Sequence, residues 1–273
     1  MVSAFLVGGD NLNELNFREL LRSKEEKRII TGKITGIEDE YYKIKNEKIP
    51  CAIVWYEDIK VLIPISHLGI SKQTKSMLRG MLGSEIDFIV MEIDETTNLA
   101  IASRIDAMNL RAKLELPKLK LNDNIKVRVI AVGIKHIIVE MYGKEVIIKA
   151  ENLQHTYIVN CKDIYTPGDY LKVKIKTLDI ENNIFELDAK CFLTNPYKSI
   201  RKFISEYGEY TVIAFPKKNS GIIIQLDQSN ISCLVRVPAR FNNYPHYMQN
   251  VLIKVTEINE TKKLIYGYLM RVF

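Results

Sequence analysis

The sequence predicts an all-β chain: three small tandem domains of five short strands each, joined by short helical linkers and preceded by a helix. Two observations carry this. One stretch occurs three times: Gly83 to Asp94 returning at Leu99–Ser103, Gly168 to Asp179 returning at Ile184–Asp188, and Val251 to Asn259 returning at Leu264–Tyr268. Apolar residues alternate in it, as at Leu171, Val173 and Ile175, and an Asn/Asp-rich break separates two such runs, which reads as a hairpin with one buried face. The copies align without a gap. Asp94, Asp179 and Asn259 mark the turn; Ile86, Leu171 and Val251 stand eight residues before it, and Leu99, Ile184 and Leu264 five after. Spacings of 85 and 80 residues are those of small domains, not of solenoid units. The second observation is size: 273 residues with 47% hydrophobic content suit three domains of about 80–90 residues, each able to bury a core.

Composition narrows the function. Cys51, Cys161, Cys191 and Cys233 are scattered, with no C-x-x-C pair, so zinc and redox motifs are not expected and a reducing, cytoplasmic setting is. Val2 to Val7 is apolar but short and lacks a basic flank, unlike a signal peptide. No apolar run approaches the roughly 20 residues of a membrane span. The net charge of +6 is uneven: residues 29–110 carry nine basic and twelve acidic residues, and residues 195–273 carry eleven and five. Clustered positive charge is the footprint of a polyanion-binding face.

In chain order, Gly8 to Asn11 reads as a turn, and Asn13 as the N-cap of a helix with Phe17, Leu20 and Leu21 on an apolar stripe. That stripe is expected to pack on its own domain or to hold a protein partner. The first domain begins at Ile29, with an extra hairpin arm at Tyr41–Ile49, a strand at Cys51–Tyr56 and another at Val61–Leu68, which places Ser66 and His67 on a strand. A partly helical loop leads to the closing hairpin. Ala107 to Leu116 is a helical linker stopped by Pro117. In the second domain strands are expected at Asn124–Ile130, Lys135–Met141 and Lys144–Lys149, with a tight turn at Tyr142-Gly143. Asn195 caps a linker helix with Pro196 at its first position and Ile200, Phe203 and Ile204 on its apolar face. The third domain has strands at Tyr210–Phe215, Gly221–Leu226 and Ser232–Val237 before its hairpin. The boundaries read are 1–28 helical segment, 29–106 first domain, 107–119 linker, 120–192 second domain, 193–208 linker and 209–273 a divergent third domain.

Five strands with a helix or loop between the third and fourth resemble the OB-fold barrel. The hairpins ending at Ser103-Arg104 and Lys190, and Val61-Leu-Ile-Pro-Ile-Ser-His-Leu68, are similar to parts of the S1-type RNA-binding domain; Glu145 to Leu153 is a weaker copy of the latter. Phe17-Arg-Glu-Leu-Leu21 and Asn195-Pro196-Tyr197 through Gly208 resemble the linkers of ribosomal protein S1. The resemblance is to a shortened bacterial form of that protein, of the kind also encoded by phages and other mobile elements. It implies three tandem OB-fold barrels and binding of single-stranded RNA, or single-stranded DNA, across the second and third strands. In that family a second-strand aromatic stacks bases and a third-strand basic residue meets the backbone. The corresponding residues here are Ile53, Ile138 and Ile223, and Pro64, Lys149 and Arg236. No copy retains the aromatic.

Other residues are candidates for that role. Trp55 and Tyr56 lie in the first domain, and His136, Tyr142 and Lys149 in the second. In the third, Phe215, Phe241 and Tyr244 interleave with Lys217, Lys218, Arg236 and Arg240, as a single-strand groove requires. No catalytic set is read: the four histidines are dispersed, and Ser66 and His67 as strand neighbours point to opposite faces. No metal, cofactor or membrane association is expected. The reading is a non-enzymatic, cytoplasmic RNA-binding protein with the third and second domains on RNA. The first domain and its helix would face a protein partner such as the ribosome or a polymerase. The alternative is a virion or conjugation component whose barrels are protein scaffolds.

Overall fold

The computed structural model describes residues 9–42, 47–70, 74–217, 221–226, 231–238, 244–260 and 264–273; within these, side chains 9–15, 40–42, 47, 216–217, 221–226 and 232 are left aside. It is mostly β, with three five-stranded sheets and an N-terminal helix. The sheets fall into two compact units: residues 1–148 with 160–188, and residues 149–159 with 189–273.

Helix α1 (Gly9–Glu26) precedes the first sheet, made of β1 (Ile30–Tyr42), β2 (Glu47–Tyr56), β3 (Ile59–Pro64), β4 (Glu85–Asp94) and β5 (Leu99–Ser103), with helix α2 (Lys75–Arg79) between β3 and β4. This sheet closes into a barrel of order β1-β2-β3-β5-β4, sealed by parallel pairing of Val61 with Ala100 and Leu62 with Ile101. The expected extra hairpin arm is the far end of one long β1–β2 hairpin, paired out to Tyr42 and Glu47. Ser66 and His67 stand on a 3-10 turn (Ile65–His67), not on a strand, because Pro64 ends the ladder. The barrel core includes Ile34, Val54, Ile63, Ile86 and Phe88.

The N-terminal helix begins at Gly9, so Asn13 lies inside it and not at its cap. It docks on its own barrel. Leu20 is fully buried in the barrel core, Phe17 packs against that core, and Leu21 is half-buried. Phe17 and Leu20 are therefore engaged within the chain and do not form a free docking face for a partner. Ser23 sets the helix: its hydroxyl donates to the Arg28 carbonyl (2.7 Å) and accepts from the Val90 amide (3.1 Å).

Helix α3 (Arg104–Glu115) follows β5 at once, capped by Ser103, whose hydroxyl accepts from the Asp106 amide (3.2 Å). A 3-10 turn (Leu116–Lys118) absorbs Pro117. The second sheet holds β6 (Asn124–Val132), β7 (His136–Met141), β8 (Lys144–Lys149), β9 (Tyr170–Asp179) and β10 (Ile184–Asp188), with the one-turn helix α4 (Ala150–Leu153) between β8 and β9. Its order is β10-β9-β6-β7-β8, an open sheet where a closed barrel was expected. Beyond both edge strands, Ala189 N–H donates to the Asn152 carbonyl (2.9 Å) and Lys190 donates to the Glu151 carbonyl (2.6 Å). Gly143 in the β7–β8 turn has φ +83, and a Cβ there would stand 2.1 Å from the Met108 carbonyl oxygen of α3. Only glycine admits that approach.

The third sheet holds β11 (Glu209–Lys217), β12 (Gly221–Leu226), β13 (Ile231–Arg236), β14 (Gln249–Asn259) and β15 (Leu264–Val272), again a closed barrel of order β11-β12-β13-β15-β14. A 3-10 segment (Pro196–Lys202) leads into it, capped by Asn195, which accepts from the Tyr197 amide (3.1 Å). With three residues per turn, Tyr197 and Ile200 share the buried face. Phe203, expected on that face, falls at the segment's end and is exposed.

The threefold hairpin holds to the residue. Asp94 pairs Leu99, Asp179 pairs Ile184 and Asn259 pairs Leu264. Each ladder slips three residues before the turn, leaving Met91, Lys176 and Thr256 as bulges, and the third slips a second time between Leu252 and Ile253. Each incoming strand is preceded by a positive-φ residue, Gly83, Gly168 and Met248, whose amide bonds Ile34, Val129 and Ala214 carbonyls at 2.8–2.9 Å.

Candidate nucleic-acid interface

On the first barrel, Ala52 and Val54 face the core, so Cys51 and Ile53 alternate to the other face of β2. Ile53 pairs Leu62 and Cys51 pairs Pro64 across β2–β3. These outward positions are nevertheless sealed: Cys51 is 2%, Ile53 2% and Leu62 5% exposed, with Ile49 and Leu99 packed against them. Trp55 is exposed at the strand's end. Tyr56 donates its hydroxyl to Glu19 of α1; burial, and then this bond, push its pKa up to about 12. Tyr56 thus serves the helix contact.

On the second sheet the candidate residues separate. Lys149 ends β8 and is exposed; His136 and Ile138 are half-buried on β7. Tyr142 sits at φ 46 in the turn and lines a cleft of about 270 Å³ with Thr31, Asp87, Arg111, Lys126, Arg128, Glu140 and Tyr170. Beside it runs a buried ion network that the sequence did not announce. Arg104, fully buried, donates to Glu140 (3.0 Å), to Glu145 (2.8 Å) and to the Leu68 carbonyl (2.7 Å). Arg128 lies between Glu140 (3.3 Å) and Asp87 (3.1 Å), and Asp87 also accepts from Thr31 (2.7 Å) and pairs Arg111 (2.5 Å). Burial disfavours the Arg128 charge, but Asp87 and Glu140 more than offset this and hold its pKa above the ordinary value. Tyr170 donates to Glu85 (2.6 Å), which, with burial, raises the phenol's pKa, and Lys126 lies 4.3 Å over its ring. The network ties the first barrel, α3 and the second sheet together. The available signal was alternation: Arg128 and Glu140 occupy strand positions opposite the core-facing Val127, Val129 and Val139.

The third barrel differs. Cys233 and Val235 are buried, so Leu234 and Arg236 point outward on β13, and both are exposed. Register sets out two neighbouring rows of positions across the barrel. One runs from Phe215 to Ile223, Leu234, Tyr266 and Glu257. The next holds Arg236, Tyr268 and Lys254. Phe215 meets Tyr247 edge-on, with ring centroids 5.4 Å apart, and Tyr244 is exposed. Lys218, Arg240 and Phe241 lie outside the described residues, as does the Lys217 side chain, whose backbone pairs Gly221.

Among the described residues no cluster of metal-ligating side chains is present, and no helix is long and apolar enough to cross a membrane. Cys51, Cys161 and Cys233 are buried and Cys191 is exposed, with burial pushing the Cys233 thiol up to about 12.

These features define a mostly β protein of tandem OB-like domains. The chain is similar to small ribosomal subunit protein bS1. It is 23% identical over 191 residues to that of Streptococcus pneumoniae, covering 68% of this chain and 47% of the relative. To that of Staphylococcus saprophyticus it is 27% identical over 135 residues, covering 48% and 34%. The chain thus spans less than half the length of these curated relatives. No protein-family model matches it. Among solved structures, a Streptococcus pneumoniae multidomain protein with nucleic acid binding domains is 13% identical, covering 89% of this chain and 73% of that one, at a TM-score of 0.22. The a/eIF2alpha-aDim2p-rRNA complex from Pyrococcus horikoshii is matched over 31% of this chain and 52% of that one, at 15% identity and a TM-score of 0.26.

Proposed function

We propose that the chain is a non-enzymatic protein that binds single-stranded RNA, with the third of its tandem domains as the main contact and the second assisting through Lys149. One observation carries the reading. The third-strand position that is the buried Pro64 in the first barrel is the exposed Arg236 in the third, within a segment of eleven basic and five acidic residues. An exposed guanidinium in a positive field is a phosphate contact, and such contacts make affinity fall with salt. The similarity to bS1, a ribosomal protein by name, supports the same reading. The test is a titration of a short unstructured RNA at about 50 and 200 mM salt. Binding should weaken at the higher salt, and Arg236→Glu should weaken it further and flatten the salt dependence. A chain that binds no single-stranded RNA at the lower salt has another function.

A further inference from the structure

We infer that the base-stacking surface of the third barrel lies on its last strand, where Tyr266 and Tyr268 replace the aromatic missing from β12. Bases of single-stranded RNA stack there while Arg236 and Lys254 hold the adjoining phosphates. This rests on the RNA-binding reading above and assigns its contact.

The geometry is a matter of register. Ile265 and Leu269 on β15 are fully buried, so Tyr266 and Tyr268 alternate to the outer face, and both are half-exposed. Leu234 pairs Tyr266 and Arg236 pairs Tyr268 in the parallel β13–β15 ladder. On the other side, Lys254 pairs Tyr268 and Glu257 pairs Tyr266. Paired positions project from the same face about 5 Å apart. Tyr268 therefore stands between two cations, and Tyr266 between an exposed leucine and a carboxylate. Lys254 also forms a long, solvent-exposed ion pair with Glu209 (3.8 Å), and a pair of that kind is weak, so a phosphate can displace the carboxylate. Two rings two residues apart on one strand make successive platforms, and each base carries a π face that such a ring can take.

The face also fits an RNA better than an apolar partner. Its aromatic rings are flanked by charge, and the enclosing segment is strongly basic. A phenol ring placed beside a guanidinium is the pairing single-strand grooves use. The second strand could lose its aromatic without the barrel losing a stacking surface, because β15 adjoins β13 directly.

The experiment uses the full chain, a fluorescein-labelled oligouridylate and fluorescence anisotropy, with circular dichroism to verify folding. Tyr266→Leu with Tyr268→Leu keeps the apolar bulk and removes the π faces. Affinity should fall at least tenfold with the salt dependence unchanged, since no charge is lost. The corresponding double Phe variant should bind within about twofold of the parent. Photo-crosslinking of 5-bromouridine RNA to the unmodified chain needs no variant, and adducts should fall on the peptide carrying Tyr266 and Tyr268. If the Leu variant binds as the parent does while Arg236→Glu weakens binding, or if crosslinks fall only elsewhere, the tyrosine assignment is overturned and RNA binding stands. If the unmodified chain binds no RNA at low salt, the functional reading itself fails and the assignment falls with it.

Discussion

The first and third barrels share strand order and hairpin register, yet they spend their outer faces differently. In the first, the outward face of β2 and β3 is closed by apolar side chains, with Ile53 2% and Leu62 5% exposed. Its α1 helix is seated by Leu20, and the buried Arg104, just past β5, bridges to the second sheet. In the third, β13, the counterpart of β3, shows Leu234 and Arg236 to solvent, beside two tyrosines of β15. The hairpin that marks the repeat is thus neutral about function. What separates a barrel used for internal assembly from one with a surface to offer is the chemistry of its outward positions.

The largest expected effect contrasts two arginines. Arg104→Met leaves Glu145 and the Leu68 carbonyl without their donor and removes one of two cations from Glu140. Breaking a buried network this way costs about 3–5 kcal/mol. Arg236→Met, on an exposed strand end, should stay within about 0.5 kcal/mol. Urea unfolding of both variants measures this, and RNA titration should rank them in the opposite order. Equal loss of stability would mean the two barrels use their charges alike.

The contrast also shows what the sequence could and could not disclose. The hairpins were legible because Asp94, Asp179 and Asn259 are turn residues flanked by alternating apolar runs, a local signal. The bulges at Met91, Lys176 and Thr256 were not, because one extra residue in a strand leaves no mark in composition. The Glu140–Arg128–Asp87 part of the buried network was hidden for a related reason: charges at outward strand positions read as a solvated face until another sheet covers them, and Arg104, at the start of a helix, reads as solvated in the same way. The stripe of Phe17 and Leu20 admits two uses, packing on its own domain or holding a partner, and tertiary packing decides between them. Arg236 was legible as a third-strand basic residue, while Tyr266 and Tyr268 needed the β13–β15 pairing, a parallel contact between strands some thirty residues apart.

A smaller effect should come from Ser23→Ala. In the second sheet and third barrel, the amides of Ile175 and Val255 bond the backbone carbonyls of Asp123 and Gly208. In the first barrel the equivalent Val90 amide relies on the Ser23 hydroxyl. Without it a fully buried N–H loses its acceptor, at a cost of about 1–3 kcal/mol. Hydrogen exchange at Val90 should accelerate, while exchange at Val255 stays unchanged. An unaltered Val90 would show that the helix is held by Leu20 alone.

The smallest and most discriminating test uses the residue ahead of each hairpin. Gly83, Gly168 and Met248 have φ +86, +98 and 62 and make the same backbone bond. A side chain in this region is strained by about 1–2 kcal/mol, which Met248 bears and the glycines avoid. Gly83→Ala should therefore cost about 1 kcal/mol, since its nearest neighbour to a new Cβ is 3.8 Å away. Gly168→Ala should cost more, because its Cβ would stand 2.8 Å from the Gly83 carbonyl oxygen. Met248→Gly should go the other way. Relief of strain exceeds the added entropy of the unfolded glycine, about 0.4–1 kcal/mol, so the exposed third-barrel site gains a few tenths of a kcal/mol. Thermal melts of the three variants give the order. Destabilisation by Met248→Gly would mean that the methionine side chain contributes packing that its exposure does not suggest, and that the third barrel's entry turn is held differently from the other two.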